Sequence, residues 1–197
     1  MNTIKLDIKN KKGHNLQAYL ELPANENPTH YAIFAHCFSC NSNFNAVKNI
    51  SRSLSNHSFG VLRFDFTGLG KSEGEFAESH FSANVDDLIA VNTFLTENYK
   101  SPVLLVGHSL GGAAVIVAGS KLENIKAVAT VGAPATVNHV THLFSHAIED
   151  VKEKGEVEVH IGGRPFKINQ EFVSDFSKTD LPRITKELRK PLLVMHA

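Results

Sequence analysis

Val103-Leu104-Leu105-Val106-Gly107-His108-Ser109-Leu110-Gly111-Gly112-Ala113-Ala114 is the stretch that decides the fold of this 197-residue chain. An apolar run follows Pro102, breaks at a glycine, presents one serine and resumes in small residues, which predicts a strand buried on both faces, a sharp turn and a helix. Gly107-His108-Ser109-Leu110-Gly111 fits the G-x-S-x-G pattern, in which a strained turn holds the serine hydroxyl clear of the backbone as a nucleophile. Each glycine has a steric reason. Gly107 and Gly111 flank Ser109 where a side chain would block the crossing from strand to helix, and Gly112 with Ala113 and Ala114 lets the helix pack closely on the sheet.

On either side of this stretch the pattern repeats. Thr3 to Ile8 and Leu16 to Leu22 alternate around the turn residues Lys11 to Asn15, predicting an antiparallel hairpin. Tyr31 to Ala35 and Val61 to Phe66 read as buried strands, with a helix over 44–56 between them that places Phe44, Val47, Ile50 and Leu54 at helical spacing. A helix over 82–98 precedes the serine stretch. Lys126 to Val131 and Pro191 to Met195 are further buried strands, and strand alternating with helix at this spacing argues for a parallel sheet.

Between 136 and 180 the rhythm changes. Val140, Leu143, Phe144, Ala147, Ile148 and Val151 predict an amphipathic helix stopped by Gly155. Val157, Val159 and Ile161, then Gly162-Gly163, then Phe166 and Ile168 predict a hairpin with a two-residue turn. A helix and hairpin inserted between two strands of a parallel sheet are expected to form a cap over the strand ends.

Composition narrows the partners. The chain is 42 % hydrophobic and 20 % charged with zero formal net charge, so no broad field draws in nucleic acid or acidic lipid. At this length one domain, 1–197, is expected. The N-terminus lacks the basic patch and apolar core of a signal peptide, no run approaches a membrane span, and two cysteines make no disulfide framework; these points favour a soluble cytoplasmic protein. Thr67 to Gly74 contains Gly70-Lys71-Ser72, but a phosphate loop needs glycine where this chain has Asp65, and Glu73-Gly74-Glu75 is no phosphate-cradling helix start.

Three motifs in order resemble the α/β-hydrolase superfamily: His36-Cys37-Phe38 in the place of an oxyanion loop, Asp65 to Ser72 in the place of a D-x-R-G-x-G-x-S turn, and Gly107 to Gly111. With Gly132-Ala133-Pro134-Ala135 and Thr141-His142-Leu143-Phe144, the chain looks like bacterial serine hydrolases often fused to a C-terminal OsmC-like domain. The resemblance implies an α/β-hydrolase fold: a mostly parallel sheet with helices on both faces, an N-terminal antiparallel hairpin and a helical and hairpin cap. It implies esterase-like hydrolysis of a small acyl or ester substrate without cofactor or metal. Ser109 would be the nucleophile, and the backbone N–H groups of Phe38 and Leu110 would form the oxyanion hole. It also implies that the triad acid and base lie beyond His196-Ala197, so that the last strand and helix are missing, the chain looks C-terminally cut, and this length of it is expected to be inactive.

No other residue takes the base's place. His108 adjoins Ser109 and is carried to the wrong side of the turn, His36 reads as structural, and His139, His142 and His146 read as a polar helix edge in preference to a metal site. Asp65 is expected to hold the turn from Gly68 to Ser72. Cys37-Phe38-Ser39-Cys40 admits a redox pair, though it sits in a loop and not at the helix start such pairs favour. A non-catalytic α/β-hydrolase-fold domain that binds a ligand or partner is the competing reading.

Overall fold

In the computed structural model, which describes residues 2–25 and 27–196, a seven-stranded sheet runs in the order β1-β2-β4-β3-β5-β6-β9. Strands β1 (Asn2–Lys9) and β2 (Asn15–Leu22) form the expected antiparallel hairpin, and β2 runs antiparallel to β4 (Phe59–Phe64). The rest is parallel: β4 beside β3 (His30–Ala35), then β5 (Leu104–His108), β6 (Ala127–Val131) and β9 (Leu192–Met195). Parallel strands buried on both faces read as unbroken apolar runs, which is why β3, β4 and β5 stand out in the sequence.

Helices cover both faces. Helix α1 (Asn45–Asn56) lays Val47, Ile50 and Leu54 on Phe34, Val61 and Val106. On the other face α2 (Phe81–Asn98) and α3 (Leu110–Lys121) pack against Ile33, Leu62 and Leu105 in the larger core. Phe44 does not join the α1 stripe; it stands outside the first turn, 46 % exposed.

The segment between β6 and β9 corrects one expectation. In place of a helix from Val140 to Val151 there are two tight turns, Val137–Leu143 and Ser145–Ala147, and only Ile148–Lys154 (α4) is α-helical. Thr141 and Ser145 donate their hydroxyls to the carbonyls three residues back, at 2.8 and 3.3 Å. Such local bonds compete with the helical ladder. The hairpin of β7 (Glu156–Ile161) and β8 (Arg164–Asn169) forms as read, with Gly162 and Gly163 at φ 59° and 78°. Two consecutive positive φ values are what a type I′ turn demands and glycine supplies. Two short helices follow, α5 (Gln170–Asp175) and α6 (Leu181–Glu187). Among the described residues no helix is long and apolar enough to cross a membrane.

Candidate active site

Ser109 sits between the last residue of β5 and the first of α3 with φ 53° and ψ −125°. A non-glycine residue held there costs about 1–3 kcal/mol and persists only where its surroundings over-determine it. Here the Ser109 N–H donates to the Val131 carbonyl at 2.9 Å, and the Ser109 carbonyl accepts from Gly112 N–H at 2.8 Å. A Cβ on Gly107 would lie 2.3 Å from the Gly111 carbonyl oxygen, and one on Gly111 would lie 2.3 Å from that of His36. Neither backbone can yield, so the strained serine is locked by two close approaches. Its side chain is half-buried and makes no hydrogen bond among the described residues.

Strands β3 and β5 are neighbours with Ala35 opposite Gly107, so the loops leaving their ends run side by side. The loop from β3, residues 36–43, carries Phe38 and is tied down at four points. His36 is fully buried; its Nδ1 faces the Cys37 carbonyl at 2.8 Å and its Nε2 accepts from Phe66 N–H at 3.2 Å. Burial pushes this imidazole down, against the opposing influence of the Cys37 carbonyl and Asp65, and it stays neutral. Cys37 and Cys40 are joined in a disulfide across Phe38 and Ser39, the latter at φ 57°. Asp65 accepts from Ser42 N–H at 2.6 Å and from Lys71 N–H at 2.9 Å. It therefore holds the Gly68–Ser72 turn as expected, and the Phe38 loop besides. Arg63, paired with Glu21 at 2.9 Å, donates to the Ser42 carbonyl at 3.0 Å and to Asn43 Oδ1 at 3.1 Å.

Phe38 and Leu110 share one property: no hydrogen-bond partner of either main-chain N–H is found among the described residues. The Leu110 amide belongs to the first turn of α3, where N–H groups lack an intrahelical partner as a rule, and the Phe38 amide lies in the half-exposed loop that leaves the neighbouring strand, so both are open to a ligand. The Phe38 ring meets Phe76, Phe176 and Phe172 at centroid distances of 5.6, 6.1 and 6.3 Å. The last two belong to the segment inserted before β9.

That segment is fastened to α2. Asp175 accepts from Ser82 N–H at 2.7 Å and from Ser82 Oγ at 2.8 Å, and lies 3.3 Å from His80 Nδ1. Burial alone would raise this carboxyl, but the nearby His80 imidazole and the bonds from Ser82 prevail and hold it well below the usual carboxylate range. Sequence reading missed both this carboxylate and the Arg63–Glu21 pair. Arg63 carried a signal: an arginine inside an apolar strand must find a buried partner.

Among the described residues, His36, His108, His139 and His142 make no hydrogen bond to Ser109. His108 stacks on Phe44 at 6.1 Å and 10° between planes, and burial pushes its imidazole down. His139 and His142 lie edge to face at 5.1 Å in the inserted segment. No group of three or more metal-ligating side chains is found among the described residues.

A family profile described as "Serine aminopeptidase, S33" matches residues 28–186. A rat mitochondrial palmitoyl-protein thioesterase, ABHD10, is 33 % identical over 130 residues, 64 % of this chain and 40 % of that protein. Rat monoglyceride lipase is 43 % identical over 63 residues, 31 % of this chain and 21 % of that enzyme. This chain thus spans well under two thirds of either relative. Among solved structures, an esterase domain from Rhodothermus marinus is 40 % identical with TM-score 0.76, covering all of this chain and 76 % of that one. Est1E from Butyrivibrio proteoclasticus, solved with ferulic acid bound, has TM-score 0.76 at 22 % identity over 96 % of this chain and 77 % of its own, a likeness of fold.

Proposed function

The chain belongs to the serine aminopeptidase, S33 family of α/β hydrolases, and from that premise we propose that it hydrolyses esters or similar acyl compounds with Ser109 as nucleophile. One observation carries the reading: a hydroxyl that makes no hydrogen bond among the described residues, on a positive-φ residue locked by two close-packed glycines, with the main-chain N–H groups of Leu110 and of Phe38 on the neighbouring loop also without a partner there. A merely structural serine has no use for such strain, which counts against the non-catalytic alternative.

In the proposed reaction Ser109 Oγ attacks the acyl carbon as a base takes its proton, and the carbonyl oxygen becomes an anion. The N–H groups of Phe38 and Leu110 receive that charge. Donors fixed beforehand in a water-poor site need no reorganisation at the moment of reaction, and removing one typically costs about a hundredfold to a thousandfold. The base returns the proton to the leaving group as the acyl–serine ester forms; water then attacks that ester, gives its proton to the base, and the acid departs as Ser109 Oγ takes the proton back. The segment over 136–180 acts as a cap, a role supported by its phenylalanines packing on Phe38.

Among the described residues, His36, His108, His139 and His142 bond or stack elsewhere and none is hydrogen-bonded to Ser109. We therefore place the base and its orienting acid outside residues 1–197. Loss of the base costs about as much as loss of the whole triad, on the order of a millionfold. The 197-residue polypeptide should accordingly turn over p-nitrophenyl butyrate barely above background, whereas the protein at the length its gene encodes should hydrolyse it and lose that activity in S109A. Undiminished turnover by S109A would refute the nucleophile. Ordinary esterase rates from the 197-residue polypeptide would refute the placing of the base.

A further inference from the structure

A groove of about 580 Å³ opens between the Phe38 loop, the first residue of α1 and the first residue of β8, lined in part by Ser39, Cys40, Asn41, Asn43, Phe44 and Arg164. It borders the Phe38 loop and the His108 ring. Ser39 and Cys40 follow Phe38 in the chain, and the Phe44 ring lies parallel to that of His108, the neighbour of Ser109.

What the groove offers a ligand is decided by which of its polar atoms are already used. Asn43 N–H donates to Asn41 Oδ1 at 2.9 Å, and Arg63 Nη1 donates to Asn43 Oδ1 at 3.1 Å. Each of these oxygens keeps a second lone pair, but the NH₂ groups of Asn41 and Asn43 bond to nothing among the described residues, so on these side chains N–H donors remain in excess of acceptors. Arg164 adds a guanidinium that stands over the Phe166 ring at 5.3 Å, with no carboxylate within 4 Å among the described residues. Among the described residues no aspartate or glutamate lines the groove. It presents one positive charge and a surplus of donors, and the flat fork of arginine matches a carboxylate in two-pronged fashion.

We infer that this groove holds a carboxylate carried by the substrate, and that Arg164 is the residue that selects for it. The inference rests on the ester-hydrolase reading and narrows it to monoanionic acyl compounds. The β7–β8 hairpin thereby contributes a specificity contact from the inserted segment, on the side of the Phe38 loop reached by its first β8 residue.

The test compares p-nitrophenyl hydrogen glutarate with p-nitrophenyl valerate, similar in length, on the protein as its gene encodes it. A charge-assisted contact of this kind predicts kcat/KM about tenfold or more in favour of the anionic ester. The ratio should fall towards one in R164Q, stay partly elevated in R164K, and shrink as salt is raised because Arg164 is exposed to solvent. A ratio near one in the parent, or one that R164Q leaves in place, overturns the inference while the nucleophile reading stands. Should neither ester be turned over, monomethyl glutarate titrated into S109A still reads the groove by NMR of the arginine and asparagine side chains. Saturable shifts abolished by R164Q support the carboxylate site, and their absence overturns it.

Discussion

Replacing Asp65 tests whether one carboxylate holds the candidate site together. Asp65 is 1 % exposed, and its two oxygens accept main-chain N–H groups from different loops, Ser42 at 2.6 Å and Lys71 at 2.9 Å. Asp65→Ala leaves both donors without an acceptor. Hydrogen bonds to a charged group contribute about 1.5–3 kcal/mol each, and the Lys71 amide, nearer the surface, regains part of its loss from water. A net cost of about 3–4 kcal/mol follows, and at about 2–4 °C per kcal/mol for a domain of this size the melting midpoint should drop by about 6–16 °C. Asp65→Asn keeps one acceptor but turns an NH₂ towards the other donor, so its midpoint should fall by a similar or slightly smaller amount. Thermal unfolding followed by circular dichroism reads both variants. Because Ser42 lies in the loop that carries Phe38, ester turnover by the active protein should fall by up to about a hundredfold to a thousandfold, the worth of one oxyanion donor, if the proposed role of the Phe38 amide holds. A midpoint for Asp65→Ala within about 2 °C of the parent, with turnover intact, would refute the reasoning.

The remaining predictions concern the surrounding frame. Gly111→Ala would press a methyl against the carbonyl oxygens of His36 at 2.3 Å and Ala35 at 2.6 Å; a cost on the order of 4 kcal/mol or more is expected, seen as loss of soluble protein or of cooperative unfolding. Asp175 has a folded pKa held below its unfolded value, so its contribution is present above about pH 4 and is lost as pH falls through the folded value. Asp175→Asn should accordingly narrow the gap between midpoints at pH 7 and pH 3, and hydrogen exchange should rise over residues 156–176 at pH 7. Reducing the Cys37–Cys40 disulfide, which closes a short loop, should lower stability by about 2 kcal/mol on chain-entropy grounds, and a C37A/C40A variant should melt at the same temperature with or without dithiothreitol.

The strands of this protein are legible in its sequence because burial on both faces leaves little room for polar residues, as in Tyr31 to Ala35 and Leu104 to Val106. The serine turn was legible for a related reason, since backbones that approach within van der Waals contact admit only glycine at 107 and 111. Less could be read where side chains compete with the main chain. The run from Val140 to Val151 has helical spacing, yet the hydroxyls of Thr141 and Ser145 take carbonyls that a helix would need. The bond from Ser82 to Asp175 spans 93 residues and leaves no local pattern at either end. The partner of Arg63 was hidden likewise, although the need for one was visible. Where the two cysteines would go was undecided by spacing; the structure joins them across Phe38 and Ser39, where the loop turns at a positive φ.

Phe38 belongs to two structures at once, its main chain to the loop beside Ser109 and its ring to an aromatic cluster that includes Phe172 and Phe176. Anyone enlarging that cluster's neighbourhood to admit bulkier acyl groups would be shifting the very residue whose amide is assigned to meet them. Selectivity and speed would then not evolve as separate traits in a mutant library: variants chosen for a new chain length should arrive slow, and the second round of improvement should fall in residues that re-seat the Phe38 ring.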